Sequence, residues 1–278
     1  MPVSTPPMEN SQFIHIDIEV GSGLIHCLQD GTGHKLVLAF HGYGLDALSF
    51  LPVMQQVNQD CTFLSVDLPH HGKSRWGGTL FTKHLLVQFV TLVMQKYGVE
   101  KVSLLGYSLG GRVCLTIAEL IPEKMGTIVL VAPDGLVPNL AYNLATKNLL
   151  GKLAFKHIVN NPKGFFRLAD WLLARKYIDA SRHKFVTQYL KTDTSREMLH
   201  KVWVGLGPIT PNQHRLKEVI RSNKLHIVIF MGSFDRIIPL RNAKKFMEGL
   251  ETVELHTLNK GHKVIDQITA LLIANCFN

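Results

Sequence analysis

The sequence predicts an α/β fold in which a mostly parallel sheet is covered by helices on both faces. Short apolar runs alternate with longer helical patterns along most of its 278 residues, as is typical of successive βα units. The alternation stops between about Leu136 and Asn223, where helical, basic and aromatic segments replace the strands. We therefore expect one core, residues 1–135 and 224–278, with a mostly helical lid of residues 136–223 inserted into it.

The predicted strands begin with a hairpin. "QFIHIDIEV" and "GLIHCLQD" flank Gly21 to Gly23, which suit a tight turn. Buried strands are then predicted in the order "KLVLAF", "TFLSVDL", "VSLLGY", "TIVLVAP" and "LHIVIFMG", with "VELHTL" as the last strand. Right-handed crossovers bring the carboxyl ends of parallel strands to one edge of the sheet. Ligand-binding residues are expected in the loops at that edge.

Two helical patterns between these strands have recognisable ends. "FTKHLLVQFVTLVMQKYG" ends at Gly98, a residue that favours helix termination. "LGGRVCLTIAELIP" is stopped by Pro122 and begins directly after the strand "VSLLGY". The sequence therefore predicts a sharp strand-to-helix turn at Ser108.

Composition favours a folded protein without metal or disulfide chemistry. Apolar residues make up 46% of the chain, enough for a full core. The four cysteines are far apart in the sequence and form no CxxC pair, which argues against a zinc site or a disulfide framework. The net charge of +9 comes from scattered Lys and Arg without a nucleic-acid-binding motif, so no nucleic-acid partner is expected.

The N-terminal residues and the longest apolar runs indicate where in the cell the protein is expected. "MPVSTPPMEN" lacks the basic and apolar regions of a signal peptide, and no segment reaches the length of a membrane span. We expect a cytoplasmic protein with no stable membrane insertion. The oligomeric state is left open.

The stretch "GYSLGG" has the spacing of a nucleophile elbow. Gly106 and Gly110 stand two residues before and after Ser108, where larger side chains would collide with the strand and the helix. The turn would direct the N–H of Leu109 toward a developing oxyanion. The alternative is that Ser108 only caps the following helix.

A second loop offers another oxyanion donor. "HGYG" follows the strand "KLVLAF", and we assign the second oxyanion N–H to Tyr43. A simple turn is the alternative interpretation of this loop. His41 is expected to order it through hydrogen bonds.

A serine hydroxyl needs a base, and the base needs an orienting acceptor. Asp235 follows the strand "LHIVIFMG", and His262 follows the last strand. The chain order Ser, Asp, His is typical of nucleophile elbows on α/β sheets. Asp134, which follows "TIVLVAP", is a rival for the acidic role.

Five motifs in order, "HGYG", "DLPHHGKS", "GYSLGG", "GSFDRIIP" and "KGHKV", make the chain resemble the α/β-hydrolase superfamily over essentially its whole length. The resemblance implies an eight-stranded, mostly parallel sheet, a lid after the sixth strand, and the triad Ser108, Asp235 and His262. It also implies that "DLPHHGKS" is a structural loop at the cleft edge, so His70 and His71 are not assigned catalytic roles.

Several residues are candidates for the substrate pocket. Tyr107 precedes the nucleophile, and Arg112 lies one helical turn after it, where a guanidinium could bind a substrate carboxylate or form an ion pair instead. The apolar candidates within the predicted lid either form an acyl pocket or pack the lid on the core; they are Phe165, Phe166, Trp171, Leu172 and Trp203.

These observations favour a serine hydrolase that cleaves a small or medium carboxylic ester without a metal or organic cofactor. The sequence also resembles the menaquinone-pathway synthases, which eliminate pyruvate with a triad serine and several arginines, one of them matched by Arg112. Carbon–carbon bond hydrolases of aromatic ring-cleavage products are a related alternative. A noncatalytic binding module is the alternative from another class.

Overall fold

The computed structural model describes residues 13–57, 60–78 and 80–278, so "MPVSTPPMEN" lies outside the described residues. Nine strands form one sheet in these ranges: β1 (Ile14–Val20), β2 (Gly23–Asp30), β3 (Lys35–Phe40), β4 (Cys61–Val66), β5 (Arg75–Trp76), β6 (Val102–Tyr107), β7 (Met125–Val131), β8 (Ile227–Gly232) and β9 (Val253–Leu258). The spatial order is β1-β2-β4-β3-β6-β7-β8-β9, and β5 pairs with β2.

The sheet confirms the predicted α/β class and its mostly parallel character. β1 and β2 form the predicted antiparallel hairpin, and β2 pairs antiparallel with β4. All later neighbours along the sheet, from β4 to β9, pair in parallel. The expected count of eight strands omitted β5, because a two-residue strand has no periodicity and depends on its partner β2.

The α-helices in the described residues are α1 (Leu51–Met54), α2 (Lys83–Tyr97), α3 (Leu109–Leu120), α4 (Leu140–Lys147), α5 (Leu149–Asn160), α6 (Lys163–Ala174), α7 (Ala180–Gln188), α8 (Asp193–Gly205), α9 (Gln213–Asn223), α10 (Leu240–Met247) and α11 (Gln267–Ala274). Gly98 ends α2 in the left-handed conformation, at φ 64°, as its position in the sequence suggests. No helix in the described ranges is long and apolar enough to cross a bilayer.

The sheet has a hydrophobic core on each face. Alternate residues of β3 divide between the two: Leu38 and Phe40 join one cluster, while Val37 and Ala39 join the other. The first cluster includes residues of α2, α3, α9 and α10, and the second includes residues of α1 and α11. The sheet is therefore covered on both faces, and the loops at its carboxyl edge are held by buried strands.

Residues 136–223 contain α4 to α9. Phe155, Val159, Leu190 and Leu199 form a separate small cluster within this segment. α9 instead packs against α3, and its Leu216 and Ile220 belong to the first core cluster. The covering role given to residues 136–223 stays a prediction.

Candidate active site

Ser108 lies in the turn between β6 and α3 with a strained backbone. Its φ of 51° and ψ of −112° are unusual for a residue with a side chain. A Cβ added to Gly110 would overlap the carbonyl oxygen of Phe40, and one added to Gly106 would lie 2.7 Å from the Gly110 oxygen. The two glycines therefore let the strand and the helix approach closely enough to form the turn. The Ser108 side chain makes no capping hydrogen bond, although Ser108 occupies the N-cap position of α3.

The structure brings Ser108, His262 and Asp235 into one hydrogen-bonded chain. The Ser108 Oγ lies 3.1 Å from the His262 Nε2, and the His262 Nδ1 lies 2.7 Å from the Asp235 Oδ2. Ser108 and His262 are 154 positions apart in the sequence, and Asp235 and His262 are 27 positions apart. Because the loops after β6, β8 and β9 meet at one edge, the three side chains converge there.

Asp235 is oriented by backbone donors. Its side chain is fully buried, and its Oδ1 accepts hydrogen bonds from the backbone N–H groups of Ile237 at 2.8 Å and Ile238 at 2.9 Å. The Oδ2 is then directed at His262. With Nδ1 donating to the carboxylate, the unprotonated Nε2 can accept the proton of the Ser108 hydroxyl.

Asp134, the rival acid, has other partners. Its backbone N–H donates to the Ser108 carbonyl oxygen at 2.8 Å, and its Oδ1 accepts from the Gly135 N–H at 2.8 Å. Its Oδ2 lies 3.6 Å from a terminal nitrogen of Arg112. The geometry thus distinguishes two acids that the sequence had left in competition, and His262 is paired with Asp235.

Tyr107 supports the loop that carries His262. Its hydroxyl donates to the His262 carbonyl oxygen at 3.1 Å, and the two ring centroids are 5.6 Å apart. Burial, with a smaller contribution from the Asp235 charge, raises the pKa of Tyr107 to about 12. Tyr107 therefore remains a protonated donor throughout the neutral range.

The "HGYG" loop lies beside the serine. A Cβ added to Gly42 would lie 3.3 Å from the Ser108 Cβ and 3.1 Å from the Tyr107 ring. His41 donates from Nδ1 to the Gly42 oxygen at 2.7 Å and accepts the Leu68 N–H at Nε2. Burial lowers the pKa of His41 to about 4, so this loop is built around a neutral imidazole.

His71, which the sequence left without a role, holds the other end of this loop. Its Nε2 accepts the N–H of Gly44 at 3.2 Å, and its Nδ1 donates to the Pro69 oxygen at 3.0 Å. Burial, together with the nearby His41, lowers the pKa of His71 to about 3. The local sequence around His71 did not predict this contact, because His71 and Gly44 are 27 positions apart in the chain.

Tyr43 connects the loop to residues 136–223. Its ring meets that of Tyr189 edge to face, with centroids 4.7 Å apart. Tyr43 also packs on the small cluster of that segment, as do Phe165, Phe166 and Trp203. Three of the five apolar candidates therefore pack against this cluster. No sequence pattern indicated Tyr189.

Arg112 is only 4% exposed. Besides approaching Asp134, its guanidinium lies over the Tyr142 ring, 4.0 Å from the centroid, and its Nε finds no hydrogen-bond acceptor among the described residues. It lines a cavity of about 300 Å³ whose lining residues do not include Ser108 or His262. Of the two alternatives for Arg112, an ion pair or a substrate-binding guanidinium, the structure shows the ion pair, with Asp134.

Trp171, the third pocket candidate, is 47% exposed on α6. Its described ring partners are Tyr177, at 5.8 Å between centroids, and the guanidinium of Arg175. The structure therefore does not group Trp171 with the triad. Helical periodicity placed it on an apolar stripe but could not show which way that stripe faces.

Comparisons with known proteins place this site in a family. A family model described as "alpha/beta hydrolase fold" matches residues 35–267. The dihydrolipoyllysine-residue acetyltransferase component of the acetoin cleaving system of Cupriavidus necator is 27% identical over 220 residues, which cover 77% of this chain. The match covers 55% of that relative, so this chain corresponds to little more than half of its length.

Two further similarities extend over most of both chains. The 2-hydroxy-6-oxononadienedioate/2-hydroxy-6-oxononatrienedioate hydrolase of a Pseudomonas species is 24% identical over 271 residues, covering 91% of this chain and 90% of the relative. The solved structure of MGS-M2, an alpha/beta hydrolase enzyme from a Medee basin deep-sea metagenome library, has a TM-score of 0.68 at 15% identity. The structural alignment covers 94% of this chain and 97% of the MGS-M2 chain.

The family match confirms the resemblance drawn from the five sequence motifs. It begins at the first residue of β3 and ends at the first residue of α11, so it includes every loop of the hydrogen-bonded site. The chain belongs to the α/β-hydrolase fold family.

Proposed function

We propose that the chain is a serine hydrolase that cleaves small or medium carboxylic esters through an acyl-enzyme on Ser108. The hydrogen-bonded chain from Asp235 through His262 to Ser108 carries this proposal. Because the Ser108 side chain makes no capping bond to α3, its hydroxyl can pair with His262 instead. Family membership supports hydrolysis, while the choice of an ester rests on the general chemistry of such a triad.

The proposed reaction has two halves. His262 takes the proton of Ser108 as the Oγ attacks the ester carbonyl, and then gives it to the departing alcohol. Water, deprotonated by the same imidazole, attacks the acyl-enzyme and releases the carboxylic acid and the free Ser108 hydroxyl. Asp235 holds the tautomer of His262 and stabilises the imidazolium in both halves.

The tetrahedral oxyanion would be held by the backbone N–H groups of Leu109 and Tyr43. The Ser108 N–H is already donated to the Val131 oxygen, and the Gly44 N–H is donated to His71. Neither Leu109 N nor Tyr43 N has a hydrogen-bond acceptor in the part of the chain that the structure describes. Stabilising an oxyanion requires backbone donors that are not already engaged.

A carbon–carbon bond hydrolase is the second candidate. The Pseudomonas relative that aligns over 91% of this chain is named for the hydrolysis of a 2-hydroxy-6-oxo dienoic diacid. The same serine, histidine and oxyanion donors could serve that chemistry. Arg112, however, is paired with Asp134 and lines a cavity whose lining residues do not include Ser108 or His262, which disfavours it as a carboxylate-binding group for a substrate on Ser108.

Two measurements test these proposals. Fluorophosphonate labelling followed by mass spectrometry should place one adduct on Ser108. The adduct should be absent in Ser108→Ala and retained in Ser222→Ala, which replaces an exposed serine on α9. Absence of an adduct on the folded wild type would contradict the nucleophile assignment.

The substrate panel then separates the candidates. We expect turnover of p-nitrophenyl acetate, butyrate or hexanoate that disappears in Ser108→Ala. A 2-hydroxy-6-oxo-2,4-dienoate, whose conjugated absorbance is lost on cleavage, serves as the competing substrate. Cleavage of the dienoate at a kcat/KM far above that for every ester would replace the esterase proposal with the second candidate.

A further inference from the structure

The outer faces of α4 and α5 carry an exposed apolar surface. We define the leucine patch as Leu140, Leu144, Leu149, Leu150 and Leu153. Each of these side chains is more than half exposed, and Leu150 reaches 80%. Isolated exposed leucines are ordinary, but five within 14 consecutive residues are not. This patch requires a partner or a surface.

The exposure follows from how the two helices pack. On α4, the buried residues Tyr142 and Thr146 face the protein, while Leu140 and Leu144 share another stripe four residues apart. On α5, Phe155 and Val159 enter the small cluster of the segment, which leaves Leu149 and Leu153 outside. The helices thus already have buried faces of their own, and the exposed leucines lie outside those faces.

The charge along the helices that carry this patch has one sign. Residues 135–169 contain no Asp or Glu, and they contain five Lys or Arg: Lys147, Lys152, Lys156, Lys163 and Arg167. Asp193 and Glu197 of α8 line a cavity together with Lys156, but they are already paired with Arg196 and Lys201. Across residues 136–223 there are fifteen Lys or Arg and five Asp or Glu, a net charge of +10. The whole chain carries +9, so the remainder is close to neutral at −1.

We propose that the leucine patch docks peripherally on an anionic phospholipid surface. Leucines would enter the boundary between headgroups and acyl chains, while the flanking lysines would remain at the level of the lipid phosphates. Lys147 continues the exposed stripe of Leu140 and Leu144, and Lys152 and Lys156 lie on the same helix as Leu150. Apolar side chains bordered by cations match both layers of such a surface.

Charge also argues against a second copy of the chain as the occupant. A two-fold interface built on this patch would place the lysines of one copy close to those of the other. No acidic residue within 135–169 is available to pair with them. The proposal is independent of catalysis, because no triad residue lies on these helices.

Vesicle co-sedimentation of the full chain tests the proposal. The wild type and Ser108→Ala should both bind vesicles of phosphatidylcholine with 30% phosphatidylglycerol, and both should bind pure phosphatidylcholine far more weakly. Binding should weaken about fivefold for each lysine changed to Gln among Lys147, Lys152 and Lys156. It should also fall with added salt, because the attraction is screened.

A pair of variants compares the leucine patch with another exposed apolar surface, on α11. The variant Leu144→Ser, Leu149→Ser, Leu150→Ser, Leu153→Ser should lose binding at least tenfold while keeping the wild-type circular dichroism and melting temperature. The control Ile268→Ser, Leu271→Ser, Leu272→Ser removes exposed apolar side chains from α11 and should bind like the wild type. Equal losses in both variants would contradict the patch assignment.

Other results would overturn the proposal. A folded wild type that binds neither vesicle refutes lipid docking. Equal binding to neutral and anionic vesicles refutes the role of the lysines. If light scattering shows a dimer that the leucine variant converts to a monomer and that does not bind vesicles, the patch is an interface between copies instead.

Discussion

Acid should destabilise this protein through two neutral histidines of the "HGYG" loop region. His41 and His71 are buried with ring centroids 4.9 Å apart, and burial depresses their pKa values to about 4 and about 3. An unfolded histidine titrates at a pKa of about 6.5. Below that pH the unfolded chain takes up protons that the folded state excludes, so the contribution of these groups to stability is complete above pH 6.5 and declines as the pH falls toward 3 or 4.

The magnitude follows from these pKa values. A pH of 5 is about 1.5 units below the pKa of an unfolded histidine, which is therefore protonated. Both folded imidazoles remain neutral at this pH. Each pKa unit corresponds to about 1.36 kcal/mol, so each histidine lowers the free energy of unfolding by about 2 kcal/mol relative to pH 8. Together they account for about 4 kcal/mol, a large part of the stability of an ordinary domain.

Replacing His71 with Gln isolates one of these contributions. A Gln amide can still accept the Gly44 N–H, but it does not titrate. The free energy of unfolding, measured by urea denaturation at pH 8 and pH 5, should fall about 2 kcal/mol less in His71→Gln than in the wild type. His34→Gln, which removes an exposed histidine, is the control. Equal pH-dependent losses in wild type and His71→Gln would refute the reasoning.

Three further predictions concern the triad and its turn. Asp235→Asn should lower kcat on the best ester by about 10⁴, because an amide does not hold the required tautomer of His262. A loss of kcat below tenfold in steady-state kinetics would argue against Asp235 as the acid. Gly110→Ala should abolish soluble, folded protein, since its Cβ would overlap the Phe40 backbone, whereas Gly98→Ala, at φ 64° in open space, should cost only about 1 kcal/mol in urea denaturation. Tyr107→Phe removes one hydrogen bond to the His262 carbonyl and should cost about 1 kcal/mol of unfolding free energy; an unchanged urea midpoint and slope would show that this bond contributes nothing.

Much of this protein is determined by local sequence. The sequence pattern predicted the bounds of β3 and β6, because each is a short apolar run between clear breaks. It also predicted β9, in which Val253 and Leu255 alternate with polar residues. The elbow was also predictable, since glycines two residues before and after Ser108 relieve collisions that any such turn creates. Chain order then brought His262 and Asp235 into consideration, because residues after parallel strands meet at one edge.

The tertiary structure decided the acidic role, for which the sequence favoured Asp235 and kept Asp134 as a rival. Asp134 and Asp235 follow the adjacent strands β7 and β8, and only side-chain positions show that His262 contacts Asp235. The neutral state of His41 and His71 depends on burial by segments distant in sequence. The two-residue β5 exists only because β2 is available to pair with it.

The outward direction of the leucine patch has the same origin. The spacing of Leu140 and Leu144 places them on one side of a helix, as the letters of the sequence already indicate. Helical periodicity defines which residues share a face, but the packing of neighbouring segments decides which face is buried. In α4 and α5 that packing buried Tyr142 and Phe155 and left the leucines exposed.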